Sequence, residues 1–543
     1  MRLFQTPGRM ALAALLLVGA CASDPPAPPT IADLAPAAAP PAPVAVAPAA
    51  GEPDGPAQLL AAGEPVLQFV DAGPVEALGE APLPALFDAG AVQAALALRP
   101  AGAEVGYLVL DLATGAELAA ANPDLALIPA STAKIATALV ALDVLGPEHR
   151  YRTALLGRGR VEGGVLWGDL ILRGDGDPLL DLADLLELAV RLRARGIEQV
   201  AGDFLIDDLS LPRLSEIQPT QPLEAAYNPG IGALSLAFNR VRLTWRGGGG
   251  IEAATLPPLD EARFRPAPPA RLPPGGVELA TAGPEAVTWQ VADRGGRLQG
   301  ADLPVKDPGL HAGAVFRRLA LAQGVVLGPP QRAAAPVEGG LIAVHESAPL
   351  HALVHDMLLY SNNMMAELIG LSAAARLGAV PDLAAASALV LAHLGELMPE
   401  VDWQGAALAN QSGLDGEGRM TPRQLGALLR YGWRAQALPA LLPASGWSGT
   451  LLNRYRQPGE ALRVWAKTGA VNYGNALAGY LHPPTDRPLV FVAMVSDFGA
   501  RAAYDALPRP ARADEAAASA WTARARALQD RLVEAWLLPL PTS

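Results

Sequence analysis

The chain has 543 residues, several times a typical domain of roughly 150, so more than one compact unit is expected. Hydrophobic residues make up 51% of the chain and charged residues 17%, which excludes wholesale disorder, while the single cysteine excludes a disulfide framework or a thiolate metal cluster. The net charge of −13 gives no electrostatic footprint for binding nucleic acid.

The first 21 residues have the pattern of an export signal. Two arginines precede an apolar run at residues 10–18, which is too short to span a bilayer and leads into Gly19-Ala20-Cys21. This ending resembles the lipobox of bacterial lipoproteins, with Cys21 as the residue that is acylated after cleavage. Ala22 at the next position favours sorting to the outer membrane. The alternative is an ordinary signal peptide with a chance cysteine.

Residues 22–75 are predicted to be a tether. Between residues 24 and 50, 20 of 27 residues are Ala or Pro, and almost none of the others is large enough to bury. Because proline favours the extended polyproline II conformation, this segment should act as a semi-rigid spacer between a membrane surface and a folded body. Folded structure is predicted to begin between about residues 65 and 90.

The elements that follow predict one α/β domain with an interruption. Strands at 106–112 and 116–118 flank a tight turn, and an apolar helix at 135–145 stops at Gly146-Pro147. Residues 151–344 then have short strand-like runs between Gly- and Pro-rich turns, which predicts an all-β-leaning insertion. The remaining segments predict helices, two strands and a last helix, at 350–377, 383–397, 422–431, 476–481, 489–495 and 514–537.

Ser131 and Lys134 stand three residues apart at the start of the first long helix. Their side chains therefore share one face of the helix, so that a nucleophile and a base can meet. An amine can take the proton of a serine hydroxyl only if burial or another cation lowers its pKa from around 10.4. The position of Ser131 at the positive end of the helix dipole would stabilise a developing oxyanion.

Lysine is rare in this chain. Three of the 41 basic residues are lysines, so each is a candidate for a task that the permanently charged arginine cannot do. Lys467 is followed by Thr468 and Gly469 at the end of a strand-like stretch, and a cation beside a hydroxyl suits the binding of a carboxylate. Lys306 lies outside every motif and is interpreted as structural.

A third element is Ser361-Asn362-Asn363, which offers a hydroxyl for proton relay and an amide that can hold a peptide group. In this order, the three elements match the Ser-x-x-Lys, Ser-x-Asn and Lys-Thr-Gly set of penicillin-binding proteins and serine β-lactamases. With the insertion of about 190 residues, the chain resembles the class C low-molecular-mass penicillin-binding proteins, which are D-alanyl-D-alanine carboxypeptidase/endopeptidases. Further landmarks of that family are similar, at residues 129–131, 174–178, 202–203, 227–228, 233–235, 307–308, 366–367, 412–414 and 421–422.

The resemblance implies a fold, a domain arrangement and an activity. The expected fold is a penicillin-binding/β-lactamase-like transpeptidase domain, with an antiparallel sheet flanked by helices, formed by residues 76–150 and 345–543. Residues 151–344 form the inserted β-rich part. The implied enzyme is a serine-type D-Ala-D-Ala carboxypeptidase that acts on peptidoglycan stem peptides and cross-links, is inhibited covalently by β-lactams, and needs no cofactor or metal. It is expected at the periplasmic face of the envelope, held to the membrane by lipid on Cys21.

The resemblance also implies a role for each site residue. Ser131 attacks the carbonyl of the penultimate D-alanine, Lys134 takes the serine proton, and Ser361 relays a proton to the leaving D-alanine. Lys467, as a second cation, helps to keep Lys134 neutral. The substrate's carboxylate and amide are bound by Lys467, Thr468, Gly469 and Asn363, and the oxyanion by the backbone N–H groups of Ser131 and Ala470.

Other functions have weaker support. A serine β-lactamase shares the three motifs but normally lacks so large an insertion, and a wall-binding lipoprotein with a silent site remains a second alternative. His351 and His355 have a spacing that could bind zinc, although solvated histidines explain them as well. Ser448 sits in a near miss to a nucleophile elbow, because Thr450 occupies the place of the last glycine.

Overall fold

The computed structural model describes residues 87–248, 250–258, 262–272, 276–282, 287–484, 487–507 and 510–537. The predicted signal, Cys21 and the predicted tether lie outside these residues. The described strands are β1 (Glu104–Asp111), β2 (Glu117–Ala121), β3 (Arg152–Glu162), β4 (Val165–Gly174), β5 (Gln199–Val200), β6 (Phe204–Asp207), β7 (Arg240–Arg246), β8 (Glu252–Leu256), β9 (Ala262–Ala267), β10 (Val277–Ala282), β11 (Val287–Ala292), β12 (Gln299–Pro304), β13 (Pro330–Arg332), β14 (Gly340–Glu346), β15 (Val464–Val471), β16 (Gly474–Leu481) and β17 (Leu489–Ser496). The described helices are α1 (Ala89–Leu96), α2 (Lys134–Leu145), α3 (Leu182–Ala194), α4 (Pro308–Ala322), α5 (Leu350–Tyr360), α6 (Asn363–Leu377), α7 (Leu383–Leu397), α8 (Pro422–Ala435), α9 (Phe498–Asp505) and α10 (Arg512–Leu537).

The central sheet has five antiparallel strands in the order β15-β16-β17-β1-β2. It therefore joins strands from both ends of the folded chain, with Glu104 of β1 opposite Ser496 of β17. All eight residues of β16 and of β17 are buried, so both faces of the sheet are covered. Alternate residues of each strand point to opposite faces and enter two separate hydrophobic cores.

Helices cover the two faces of this sheet. One core contains side chains of α2, α5, α6, α7 and α8 against one face, and the other contains side chains of α1 and α10 against the opposite face. Trp536 of α10 is almost fully buried there, with its ring 5.4 Å from that of Tyr107 and 6.2 Å from that of Phe491. The predicted antiparallel sheet flanked by helices is therefore present.

The residues between α2 and α5 form further sheets. One contains β13-β6-β4-β3-β14, with β5 paired to β4, and two three-stranded sheets have the orders β12-β7-β8 and β10-β11-β9. Strands dominate, as predicted, but the all-β-leaning expectation missed α3 and α4. Both have clear start signals: Asp181 and Asp184 form a capping box at α3, and Asp307 caps α4 ahead of Pro308.

Two features of the fold position the site. The two ends of the inserted part lie next to each other. Tyr151 N–H donates to Ser347 Oγ at 2.9 Å, and Ser347 N–H donates to Tyr151 O at 2.9 Å. A later part of the inserted residues touches α6 directly, because Asn363 Nδ2 donates to Tyr227 O at 3.1 Å. No described helix combines the length and the apolar character that crossing a bilayer requires.

Candidate active site

Ser131 lies in a single 3-10 turn, Ala130–Ala133, that leads directly into α2. The sequence predicts a helix start here, and the structure refines it to this tighter turn. Ala130, the residue before the serine, has a φ of +46°, a left-handed conformation that costs a non-glycine residue about 1 kcal/mol or more. Thr132 Oγ1 donates to Pro129 O at 2.6 Å and helps to hold the turn. The strained residue is therefore Ala130, and the turn that it begins holds Ser131 in place.

Lys134 is fully buried at the first residue of α2, and its amine has three oxygen neighbours. Nζ lies 2.9 Å from Ser131 Oγ, 2.8 Å from Asn363 Oδ1 and 2.7 Å from Ser412 O. The last two oxygens can only accept hydrogen bonds, so they take two N–H groups. In the neutral amine the remaining lone pair faces Ser131 Oγ, which is the arrangement needed to remove the hydroxyl proton.

Burial lowers the pKa of Lys134 to about 7, while the nearby Glu367 carboxylate acts in the opposite direction. Removal from water is the dominant cause, and the proposed help from Lys467 in keeping Lys134 neutral stays a prediction. Lys467 is itself fully buried, and its pKa is held well below the ordinary value, first by burial and then by the neighbouring Lys134.

Lys467 and Ser361 meet through a hydrogen bond. Lys467 Nζ donates to Ser361 Oγ at 2.8 Å and to Thr468 O at 2.7 Å. Ser361 ends α5 with a φ of +55°, so this second site serine also has a left-handed backbone. Because the Lys467 amine is fully buried, the hydroxyl of Ser361 is the side-chain group through which it makes contact with its surroundings.

The Lys467-Thr468-Gly469 sequence occupies the middle of β15, and not the end of a strand as predicted. Gly469 is where β15 passes closest to the nucleophile turn. A Cβ at Gly469 would lie 2.8 Å from Pro129 O and 2.9 Å from Ser131 N, distances that no side chain tolerates. Glycine therefore allows the two backbones to meet, and it places the exposed Ala470 next along the strand.

Asn363 connects the base to the inserted residues. Its Nδ2 donates to Tyr227 O, so its Oδ1 is the atom that faces Lys134. Of the predicted site residues, Ser131, Lys134 and Asn363 thus share one hydrogen-bonded group, and Ser361, Lys467 and Thr468 share a second. Gly469 links the two groups by its contact with Ser131.

Comparisons with known proteins agree with this geometry. The sequence profile of the D-Ala-D-Ala carboxypeptidase 3 (S13) family matches residues 89–271 and 277–513. The chain belongs to this family. The predicted class of enzyme, a serine-type D-Ala-D-Ala carboxypeptidase and thus a hydrolase, is confirmed.

Relatives within the S13 family extend over most of the chain. The D-alanyl-D-alanine carboxypeptidase of Actinomadura sp. (strain R39) is 30% identical over 427 residues, which cover 70% of this chain and 76% of that protein. The D-alanyl-D-alanine carboxypeptidase DacB of Haemophilus influenzae is 24% identical over 436 residues, covering 74% and 86%. The crystal structure of penicillin-binding protein 4 (DacB) from Haemophilus influenzae superposes with a TM-score of 0.68 at 21% identity. The superposition covers 82% of this chain and 98% of that chain, and it confirms the predicted fold class.

Two residues of this S13 site, Glu367 and Ser412, were given no role by the sequence motifs. Glu367 and Ser412 were noted only as family landmarks, yet Glu367 is fully buried beside Lys134 and Ser412 O accepts a hydrogen bond from it. The one sequence signal for Glu367 is its spacing: it lies four residues after Asn363, on the same face of α6. Ser412 has no comparable local signal, because 278 residues separate it from Lys134.

The weaker candidates lie apart from this arrangement. His351 Nδ1 is 3.2 Å from Pro147 O, and His355 Nδ1 is 3.2 Å from Asp356 Oδ1, so each histidine has its own local partner. Within the described ranges, no group of three or more His, Cys, Asp or Glu side chains could hold a metal ion. Ser448 Oγ accepts the Ala444 N–H at 3.0 Å within its own loop. Lys306 pairs with Glu216 at 3.6 Å.

Proposed function

We propose that the chain is a serine D-Ala-D-Ala carboxypeptidase/endopeptidase of peptidoglycan that works through an acyl-enzyme at Ser131. The observation that supports this best is the arrangement at Lys134. A fully buried amine with a pKa lowered to about 7 has two N–H groups occupied and its third direction facing Ser131 Oγ at 2.9 Å. An amine in this state accepts a proton near neutral pH.

In the proposed acylation step, the Oγ electron pair of Ser131 attacks the carbonyl carbon of the penultimate D-alanine, and the hydroxyl proton moves to Lys134 Nζ. The backbone N–H groups of Ser131 and Ala470 are assigned to the oxyanion. The C–N bond then breaks, and Ser361 Oγ delivers its proton to the leaving D-alanine while it receives the proton that Lys134 took, so that Lys134 is neutral again. Water hydrolyses the ester and restores Ser131.

The substrate's terminal carboxylate is assigned to Thr468, with support from the Lys467 amine behind it. Thr468 is part-exposed, whereas Lys467 is fully buried. The Thr468 hydroxyl therefore makes the direct contact with the carboxylate, and the Lys467 amine acts indirectly, through its hydrogen bond to Ser361. An arriving carboxylate would favour the protonated form of Lys467, whose pKa burial otherwise lowers. Asn363 is assigned to the substrate amide, and Gly469 to the close approach of backbone.

Product analysis on purified muropeptides tests this function. Monomeric pentapeptide should lose one D-alanine, cross-linked dimers should be opened, and Ser131→Ala should do neither. A labelled penicillin should remain attached to the wild type; rapid release of hydrolysed antibiotic would instead indicate a β-lactamase. Muropeptide binding without D-alanine release or acylation would indicate a silent wall-binding protein.

The domain division and the location are proposed on separate grounds. The proposed division into 76–150, 151–344 and 345–543 is supported by the strand pairing, since the described strands between α2 and α5 pair among themselves and β17 pairs with β1. Strand β14 ends at Glu346 and pairs with β3, which moves the end of the insertion about two residues beyond 344. The lipobox-like ending at Cys21 supports export, lipid attachment and a place at the periplasmic face of the outer membrane. Labelling with a fatty acid that is present in the wild type and lost in Cys21→Ala would support the anchor, whereas equal labelling of both would contradict it.

A further inference from the structure

Glu367 is a buried carboxylate that the proposed reaction does not use. It lies on α6 with no exposed surface, four residues after Asn363, so both side chains face α2 and its Lys134. Its two oxygens accept two consecutive backbone N–H groups, Ser412 N to Oε1 at 2.9 Å and Gln411 N to Oε2 at 3.0 Å. A carboxylate placed in this way holds the direction of the chain that it binds.

The backbone that Glu367 binds belongs to residues 410–414, and further hydrogen bonds hold this segment in position. Gln411 O accepts from Thr137 Oγ1 of α2 at 2.7 Å, and Asn410 Oδ1 accepts the N–H groups of Gly413 at 2.8 Å and Leu414 at 3.2 Å. With its N–H fixed on Glu367, residue 412 presents its carbonyl to Lys134 Nζ at 2.7 Å. Glu367 therefore acts on the amine through a single residue, Ser412, whose N–H and C=O bind the carboxylate and the amine respectively.

Glu367 also acts on Lys134 by its charge. Burial raises the pKa of Glu367 to about 7, while the hydrogen bonds from residues 411 and 412 oppose this, and its carboxylate raises the pKa of Lys134. Within the described part of the chain, the other charged group that interacts with Lys134 is Lys467 on β15. Asp415 follows the 410–414 segment in sequence and accepts the N–H groups of Glu417 and Gly418.

We propose that Glu367 is a positioning residue for the base: it fixes the Ser412 carbonyl against Lys134 and supplies the negative charge that balances the ammonium formed when Ser131 gives up its proton. This inference rests on the proposed function. In that step the proton passes from Ser131 Oγ to Lys134 Nζ, and Glu367 neither gains nor loses one. Glu367 touches neither the substrate nor Ser131.

The pH profile of acylation separates this role from a purely structural one. The measurement is the second-order rate constant for acylation by a labelled penicillin from pH 5 to pH 9.5, per titrated active site, for the wild type, Glu367→Gln, Glu367→Asp and Asp415→Asn. The control variant Asp415→Asn makes the same change from carboxylate to amide, at a buried group that also accepts two backbone N–H groups.

In Glu367→Gln, the loss of charge should lower the pKa of Lys134. The acid limb of the profile should move to lower pH by about one unit, and the plateau should fall at least about tenfold because the ammonium loses its counter-charge. In Glu367→Asp, the charge remains but the side chain is one methylene shorter, so the plateau should fall while the limb stays in place. In Asp415→Asn, the limb should not move.

An unmoved limb in Glu367→Gln, with or without a loss of rate, would overturn the proposal, and so would an equal limb shift in Asp415→Asn. If Glu367→Gln does not fold, Glu367→Asp decides the question, since an unchanged plateau there would contradict the positioning role. Wild-type protein that is not acylated at all, or that is acylated as fast as Ser131→Ala, would refute the proposed function and not this inference alone.

Discussion

Gly413→Ala tests whether the 410–414 segment must pack against the nucleophile turn. Gly413 has a φ of +69°, and a Cβ on it would overlap Ala130 O and lie 2.6 Å from the carbon of that carbonyl. Ordinary van der Waals contact needs at least 3.4 Å, so the two backbones must separate by at least about 1 Å, because the overlap with the oxygen is the larger one. Misplacing reacting groups by about 1 Å can cost about 100-fold in rate.

Gly405→Ala is the matched control for this prediction. Gly405 has a similar φ of +76°, but a Cβ there would meet no atom within 4 Å. Both variants should lose about 1 kcal/mol of stability from the left-handed backbone, and Gly413→Ala should lose about 1–3 kcal/mol more from the overlap. Only Gly413→Ala should lose acylation rate, by about 100-fold. Penicillin acylation kinetics and thermal unfolding measure both effects. Equal acylation rates in the two variants would refute the packing argument.

Three further predictions follow from the site and the core. Asn363→Ala should slow acylation at least about tenfold, because a Lys134 N–H and Tyr227 O lose their partner. The control Asn362→Ala removes only the cap on Met365 N, so it should cost about 1 kcal/mol of stability and leave the acylation rate normal; similar rates for both variants would contradict this. The rate of wild-type acylation should rise with pH through about 7 and level off by about pH 9, because the pKa of Lys134 is lowered to about 7 and the neutral amine is the active form. A rate that still rises tenfold per pH unit at pH 9 would show that Lys134 has the pKa of an ordinary lysine. Trp536→Ala should lower the free energy of unfolding by about 3–5 kcal/mol in urea titrations, without changing the acylation rate per folded molecule. A loss below about 1 kcal/mol would argue against the packing of Trp536 on Tyr107 and Phe491.

The sequence was most informative where the chemistry is local. Ser131 and Lys134 are three residues apart, so helical spacing alone predicts their contact, and the structure places their atoms 2.9 Å apart. The three motifs were enough to identify the family and, with it, the fold. Spacing also predicts that Glu367 shares a helix face with Asn363, but it says nothing about what that face meets.

Other features depend on contacts between distant parts of the chain. Ser412 O reaches Lys134 across 278 residues, and the cause of the lowered pKa of Lys134 is burial, which no local pattern reveals. The positive φ of Ala130 is not signalled by its residue type, since an alanine rarely adopts this conformation. Helices α3 and α4 were missed for a different reason: their capping residues lie among Gly- and Pro-rich turns that resemble strand boundaries.

The central claim is that Lys134 is held uncharged beside Ser131 near neutral pH, and a direct titration of its nitrogen tests it. The whole chain contains three lysines, Lys134, Lys306 and Lys467, so protein labelled with ¹⁵N and ¹³C at lysine should give three side-chain signals, assignable by single substitutions. The Lys134 signal should titrate near pH 7. A Lys134 nitrogen that remains protonated above pH 10 would contradict the mechanism.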